Sequence, residues 1–401
     1  MIYSNIIHKQ SNKQIHCLWV INIRINFKDT VYLLTGWLTL FVIGTDLFVM
    51  SPLLPFIAEE YEITPAVAGW LVTAFSLMYA ISAPLFGWLS DRKGRRLFIV
   101  LGLFSFSLSN FLTAVSPSFA MLITSRILAG LSVASITPIV YAIIGDTALP
   151  ERRGVWLSTV VSGHLMALWA GAPVGTLLEQ FLGWRSVFIS LAIIAAILSI
   201  INFRVWASIN KVHPGEAQRK GNTIKIISAV SVTTFWAIAM YALYVFLGTG
   251  LVLYNDFSSS ELAASITAYG IGAVIGSLSS GRVTDKIGAR IVSIFSTAML
   301  IGILVLLGFF FSSGTLVYFL LFLWALIGYT SFTSYQARLA EEFPETRGMA
   351  LALNNTALYI GITLGSMLGG YIIANWGFFA LPFICSGVAL ISSLISTKRR
   401  G

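Results

Sequence analysis

The sequence predicts an all-α integral membrane protein of twelve transmembrane helices, arranged as two six-helix pseudo-repeats. Three observations carry this. Hydrophobic residues make up 57% and charged residues 10% of 401 positions, against about 45–50% and about 25% in ordinary soluble domains, which excludes a soluble globule. About twelve apolar stretches are long enough for the roughly 20 residues a spanning helix needs, and short polar turns separate them. Finally, Gly87, Asp91, Gly94 and Arg96 return 194 residues later as Gly281, Asp285, Gly288 and Arg290. The same offset carries Pro150-Glu151-x-Arg153-Gly154 onto Pro344-Glu345-x-Arg347-Gly348. One offset shared by separate motifs marks a duplicated half.

Taken in order, residues 1–30 are polar and basic, with Lys9, Lys13, Arg24 and Lys28. They have no small-residue cleavage site after an apolar core, so they read as a cytoplasmic tail and not as a signal peptide. The first bundle, 31–207, holds spans at 31–57, 65–87, 97–115, 119–147, 154–180 and 186–207. A linker at 208–224 carries Lys211, Arg219 and Lys220 beside Pro214 and Gly215. The second bundle, 225–397, holds spans at 225–252, 262–284, 290–311, 316–340, 348–374 and 378–397. Residues 398–401 close the chain with Lys398, Arg399 and Arg400.

Lysine and arginine fix the expected orientation. Apart from Arg126 and Arg185 they fall at the termini, the linker and the even-to-odd turns, whereas the other turns carry Glu59, Glu60 and Glu62 or Asp256. The positive-inside rule therefore places both termini and the linker in the cytoplasm, in a multi-pass protein of the cell membrane. The net charge of +9 is then topological and implies no nucleic acid. Cys17 and Cys385 are far apart and neither has a metal-like spacing, so neither disulfide, metal nor cofactor is expected.

Between spans two and three lies Gly87-Trp88-Leu89-Ser90-Asp91-Arg92-Lys93-Gly94-Arg95-Arg96, a charged island read as a tight turn. Gly94 supplies a backbone conformation closed to other residues. Lys93, Arg95 and Arg96 also serve as a topogenic basic turn, a role that does not require Asp91. The stretch is a complete GxxxDRxGRR signature, and from residue 30 onward the chain resembles the major facilitator superfamily of membrane transporters. The resemblance implies that Gly87, Asp91, Arg92, Gly94, Arg95 and Arg96 latch the cytoplasmic side closed in the outward-facing state. Gly281, Asp285, Gly288 and Arg290 form a weaker second copy, with Ala289 in the place of Arg95. It also implies a substrate site near the midplane between halves that rock about it, and a monomer.

Span five carries Gly163, Ala167, Gly171 and Gly175, spaced by four; Ala357, Gly361, Gly365 and Gly369 repeat them in span eleven. Small residues so spaced make a smooth helix face that admits a neighbour's backbone. Pro173 adds a bend to span five, where span eleven has Met367. The run resembles the span-five motif of the superfamily's antiporters, with Thr176 where a glycine is usual. Gly183-Trp184-Arg185-x-x-Phe188 fits the same family.

Two charges fall inside the apolar spans. Asp46 lies in span one, where its repeat counterpart is Met240; Arg126 lies in span four, opposite Leu320. An intramembrane acid costs about 2.5–3.5 kcal/mol on insertion scales and marks function by default, although a structural ion pair is the plainer alternative. Arg126 heads Arg126-x-x-x-Gly130-x-x-x-Ala134, which resembles the superfamily's proton-coupling motif. Its plainer alternative is a snorkelling anchor. Asp46 stands roughly 20 Å from one face and Arg126 roughly 10 Å from the other, and in a core about 30 Å thick these heights coincide. The pair is expected to meet. His164 is a secondary candidate, for lone histidines are more often packing residues. Tyr141, Trp169, Tyr244 and Tyr359 are cavity candidates, as are Trp70, Tyr79, Trp236 and Tyr335, though aromatic side chains also pack bundles and anchor helices.

There is no nucleotide-binding loop, and no motif pairs a nucleophile with a base, so an ATP-driven pump and an enzyme are both disfavoured. A secondary transporter remains. The resemblance points to the twelve-helix drug:proton antiporter branch, whose related exporters handle drugs, sugars or nucleobases. The expected partners are protons, the lipid bilayer and a neutral or singly cationic small molecule, which would compete with the proton for Asp46. An uncoupled facilitator, a proton symporter for uptake and a non-transporting membrane sensor on the same fold are the alternatives.

Overall fold

The computed structural model describes residues 27–149, 152–208 and 223–398. Residues 1–26 of the expected tail 1–30, residues 399–401 of the closing segment 398–401, residues 209–222 of the linker, and Pro150 and Glu151 lie outside them, while residues 27–30 of the expected tail already belong to the first helix. Every regular element among the described residues is helical. Among the described residues twelve helices are long and apolar enough to cross a membrane: Phe27–Glu60, Pro65–Lys93, Arg95–Ala114, Phe119–Thr147, Arg153–Leu182 and Trp184–Val205 in the first half, then Ile224–Asn255, Ser259–Ile287, Ala289–Phe310, Thr315–Glu342, Arg347–Trp376 and Ala380–Lys398 in the second. They are spans one to twelve below. Phe27, Val205, Ile224 and Lys398, which begin or end spans one, six, seven and twelve, share one end of the bundle, the terminal end; the opposite end is the far end.

The duplication is visible in the packing. Span one lies against five and six, as seven lies against eleven and twelve. Two packs on four and three on six, as eight packs on ten and nine on twelve. The connections repeat as well. Gly94 and Gly288 both turn with positive φ, at 99° and 96°, and donate back to Ser90 and Thr284. Gly183 and Gly377 do so at 75° and 78°, donating back to Glu179 and Ile373. A left-handed backbone is closed to most side chains, so glycine is kept at both copies. Spans one and seven are the innermost, each 89% buried over its most apolar window.

Four spans are interrupted. Span two breaks at Gly69 and span seven at Phe246. Span four breaks at Ser135–Ile136, because Pro138 has no N–H for the Ala134 carbonyl. Span five was expected to bend at Pro173. The irregularity lies in the turn just before it, a π-helical turn over Ala167–Gly171 that contains Trp169, whose carbonyl the proline's missing N–H leaves without its usual donor, and the α-helix resumes with Pro173 in its first turn. The expected turn after span two is also shorter than read. The helix runs on to Lys93, with Arg92 and Lys93 favourably placed at its negative end, and the turn is Gly94 alone.

The halves meet along spans two and eleven, five and eight, and one and seven. Hydrogen bonds cross this seam in the middle and toward the far end. Ser366 Oγ donates to Gly69 O at 2.8 Å, Thr363 Oγ1 to Ser76 Oγ at 2.9 Å, Ser259 Oγ to Glu179 Oε2 at 3.0 Å, and Tyr244 Oη to Phe48 O at 3.1 Å. Glycines bring backbones together there: a Cβ on Gly248 would strike the Ser51–Pro52 backbone, and one on Gly270 the backbone of Leu168 and Trp169.

Candidate functional site

Asp46 and Arg126 form a two-pronged ion pair in the core of the first half. Arg126 Nη1 donates to Asp46 Oδ1 at 2.8 Å and Nη2 to Oδ2 at 2.7 Å, and the side chains are 0% and 1% exposed. Arg126 therefore does not snorkel, because its counter-ion lies at its own depth. The guanidinium sits 5.0 Å from the Phe75 ring and 5.8 Å from the Phe188 ring, so aromatic faces of spans two and six complete its surroundings. One turn along, a Cβ on Gly130 would overlap the Phe75 backbone; this glycine lets span four lean on span two and bring the ring over the arginine. Arg126 Nε, also buried, has no hydrogen-bond partner among the described residues.

The small face of span five packs on span one, on either side of Asp46. Added Cβ atoms would strike the Trp37 backbone at Gly163, Thr45 at Gly171 and Val49 at Gly175. Ala167 fills the space beside Gly44, 2.8 Å from where a Cβ would be. Thr45 Oγ1 is tied back to Phe41 O at 2.8 Å. The π-helical turn of span five is thus wedged between Thr45 of its own half and Gly270 of the other. His164 lies against Gly44 and edge-on to Phe48 at 5.2 Å, and its buried Nδ1 has no hydrogen-bond partner among the described residues.

Tyr79, Tyr141, Trp169, Tyr244 and Tyr359 gather on the seam, among tyrosines the sequence did not single out, whereas Trp236, donating to Gly328 O at 3.1 Å, and Tyr335, donating to Ala229 O at 2.7 Å, pack inside the second half. Tyr359 of span eleven stacks on Tyr79 of span two, ring centroids 3.6 Å apart, and lies within electrostatic reach of Tyr141, Tyr241 and Asp46. Tyr244 packs on Tyr269 at 5.0 Å, Phe48 at 6.0 Å and Tyr241 at 6.1 Å, and Tyr269 reaches Tyr329 at 6.4 Å. Trp169 places its backbone against Gly270. Trp70 is exposed at the far end, away from the group.

At the terminal end, Arg95 binds Asp91 (Nη2 to Oδ1, 2.8 Å) and also Asp146 at the end of span four. Arg96 donates to Phe203 O at 2.7 Å, and Arg92 covers Trp88 at 4.0 Å. The partners of Asp91, Arg95 and Arg96 named here all belong to the first half, so in this conformation the signature ties spans two, three, four and six together. Asp285 and Arg290 are exposed and, among the described residues, have no ion-pair partner. Asp146 was missed, although an acid at the basic end of a span is itself a signal. At the far end Arg185 pairs with Glu60 and donates to Ser116 O at 3.2 Å, while Trp184 Nε1 donates to Glu60 Oε2 at 2.5 Å. The Gly-Trp-Arg run therefore clamps three connections of the first half. Among the described residues no group of three or more His, Cys, Asp and Glu side chains is placed to hold a metal.

Comparison with known proteins gives one answer at two levels. The family described as the Major Facilitator Superfamily matches residues 36–255 and again 229–400. The chain is 30% identical over 378 residues to "Uncharacterized MFS-type transporter YceJ" of Bacillus subtilis, covering 90% of this chain and 95% of that one. It is 25% identical to a "Probable sugar efflux transporter" of Helicobacter pylori, covering 88% and 91%. In structure it resembles a D-xylose-proton symporter with a TM-score of 0.77, at 16% identity over 92% of this chain and 97% of the other; that likeness is one of fold.

Proposed function

The chain belongs to the Major Facilitator Superfamily and is a membrane transporter, and from that premise we propose that it exports a small molecule against protons by alternating access. The observation that carries this reading is the buried Asp46–Arg126 pair. A carboxylate and a guanidinium sealed at mid-depth in one half, with apolar residues at both mirror positions, are not required by the scaffold. The export direction draws on the sugar-efflux relative, and the basic terminal end is assigned to the cytoplasm by the positive-inside rule.

The geometry changes one part of the expected mechanism. Both Asp46 oxygens are taken by Arg126 and the carboxylate is sealed, so in this conformation a substrate does not compete for it by contact. Coupling runs through the pair. When the halves rock, span eight moves past span five at Gly270, and the π-helical turn transmits the displacement to Thr45 and so to Asp46. Drawing Asp46 from the guanidinium leaves a bare buried carboxylate, which is stabilised by taking up a proton in the cation's place. Re-forming the pair expels that proton on the other side. The pair and the proton are alternative partners of one carboxylate.

The test is solute flux from proteoliposomes under an imposed pH gradient, over a panel of drugs, sugars and nucleobases. Asp46→Asn is expected to abolish uphill, pH-driven export while downhill movement survives. The double variant Asp46→Asn/Arg126→Gln, which leaves no unpaired charge, separates lost coupling from lost folding. Unchanged pH-driven export by either variant sinks the mechanism.

A further inference from the structure

We infer that Tyr79 and Tyr359 are the two walls of a substrate slot that takes a flat, uncharged heteroaromatic ring. This rests on the transporter reading and names the substrate class for its site. One ring comes from span two of the first half and the other from span eleven of the second. Their centroids are 3.6 Å apart and their planes differ by 21°, whereas ordinary aromatic pairs sit about 4.5–7 Å apart and offset. Both side chains are sealed, Tyr79 0% and Tyr359 3% exposed.

This is an unusual place for a ring sandwich of no consequence, because the seam must open for any substrate to cross. Parting the halves by the thickness of one ring exposes two parallel aromatic faces. A flat ligand slid between them exchanges one ring–ring contact for two. The edge of the slot is polar and neutral. Asn355 Nδ2, one turn from Tyr359 on the same helix, donates to Tyr79 Oη at 2.8 Å. On the other side Thr137, at the break in span four, stands within hydrogen-bonding reach of Tyr79. Asp46, the charged group within reach of Tyr359, is already neutralised by Arg126, so a cation finds no free counter-ion. A puckered sugar ring is too thick for a slot with parallel walls and presents its C–H face to one ring at a time.

The test uses the full-length protein in lipid nanodiscs without a pH gradient. Lumichrome is the probe: it is flat, uncharged, bears donors and acceptors on its edge, and its fluorescence is quenched by stacking. Wild type is expected to quench and bind it saturably beyond empty nanodiscs, with no displacement by D-xylose and none by ethidium, a flat cation. Tyr79→Leu and Tyr359→Leu should each weaken binding about tenfold or more, the scale of a lost stacking face. Tyr359→Phe keeps the face and should stay within about threefold. Thr137→Val, which preserves shape and leaves the slot walls intact, should weaken binding a few-fold and covers the case in which a leucine variant fails to fold. Absence of saturable lumichrome binding, displacement by D-xylose or ethidium, or wild-type affinity in the folded leucine variants overturns the assignment. Because this readout needs no gradient, it fails separately from the coupling proposal. A carrier that binds lumichrome yet shows no pH-driven flux breaks only the latter.

Discussion

The two halves share their helix pairings and their turn glycines, down to φ values that agree within a few degrees at Gly94 and Gly288 and at Gly183 and Gly377. What they hold inside differs. Where the first half buries Asp46 and Arg126, the second has Met240, whose Sδ lies 2.7 Å from the Cβ position of Gly328, and the buried Leu320. The second half does bury an arginine, Arg338, but near the terminal end, where it joins span ten to Ser396 of span twelve at 3.0 Å. Its mid-depth contribution is tyrosines: Tyr241, Tyr244, Tyr269, Tyr329 and Tyr359. Duplication thus supplies the frame, while charge collects on one side of the seam and neutral aromatic surface on the other.

The contrast is broken or sharpened most strongly at the ion pair. Removing one partner of a buried pair costs about 3–5 kcal/mol, since the other charge is left uncompensated. Arg126→Ala should therefore lower the unfolding temperature in detergent more than any other single change discussed here. The double variant Asp46→Asn/Arg126→Gln should recover most of that loss. At the mirror position, Met240→Leu conserves volume and should cost less than about 1.5 kcal/mol, with pH-driven flux unchanged. Wild-type unfolding by Arg126→Ala, or lost coupling in Met240→Leu, would show that the halves are not divided in this way.

The next effect is one of fit. Gly171 and Gly365 occupy equivalent places on the small faces of spans five and eleven. A Cβ at Gly171 would overlap Thr45, whose hydroxyl is held by Phe41 O, whereas one at Gly365 would lie 3.1 Å from its nearest neighbours. Gly171→Ala should cost about 1–3 kcal/mol by overpacking and slow transport, since Thr45 adjoins Asp46. Gly365→Ala should be the milder by both unfolding temperature and flux. Equal penalties would mean that span five is only packing and transmits nothing to the pair.

How much of this was legible depends on whether a residue's role is set by its own segment. The spans were legible because length and apolarity are local, and the repeat because its glycines have conformations that nothing else adopts. The meeting of Asp46 and Arg126 was legible from depth, since two charges at one height in a thin apolar core have few other places to go. That span five is irregular near Pro173 was legible, but the form it takes, a π-helical turn, was not, because a proline names the carbonyl it strands but not how the chain before it absorbs the loss. The tyrosine seam was hardest. Tyr79 and Tyr359 lie far apart in sequence, and an aromatic residue in a membrane span looks the same whether it packs a bundle, anchors it or faces a substrate. Asp146 was overlooked because its partner, Arg95, already had a nearer acid in Asp91.

The smallest expected effect concerns the two copies of the charged turn. Asp91 and Asp146 are about half exposed and share Arg95, and exposed ion pairs are worth about 0–1 kcal/mol. Asp91→Asn should therefore leave the unfolding temperature nearly unchanged. Its effect should fall on rate. With Asp91 neutral, Arg95 keeps only Asp146, and the ends of spans two and four, held through one guanidinium, are freed to move separately. Transport by Asp91→Asn should slow several-fold, and Asp146→Asn should reproduce part of that loss through the same arginine. Asp285→Asn should be silent in comparison, because its copy has Ala289 where Arg95 stands and Asp285 has no ion-pair partner among the described residues. If Asp285→Asn slows flux as much as Asp91→Asn, the second turn engages a partner in a conformation other than this one. The asymmetry between the halves would then be confined to the mid-depth ion pair.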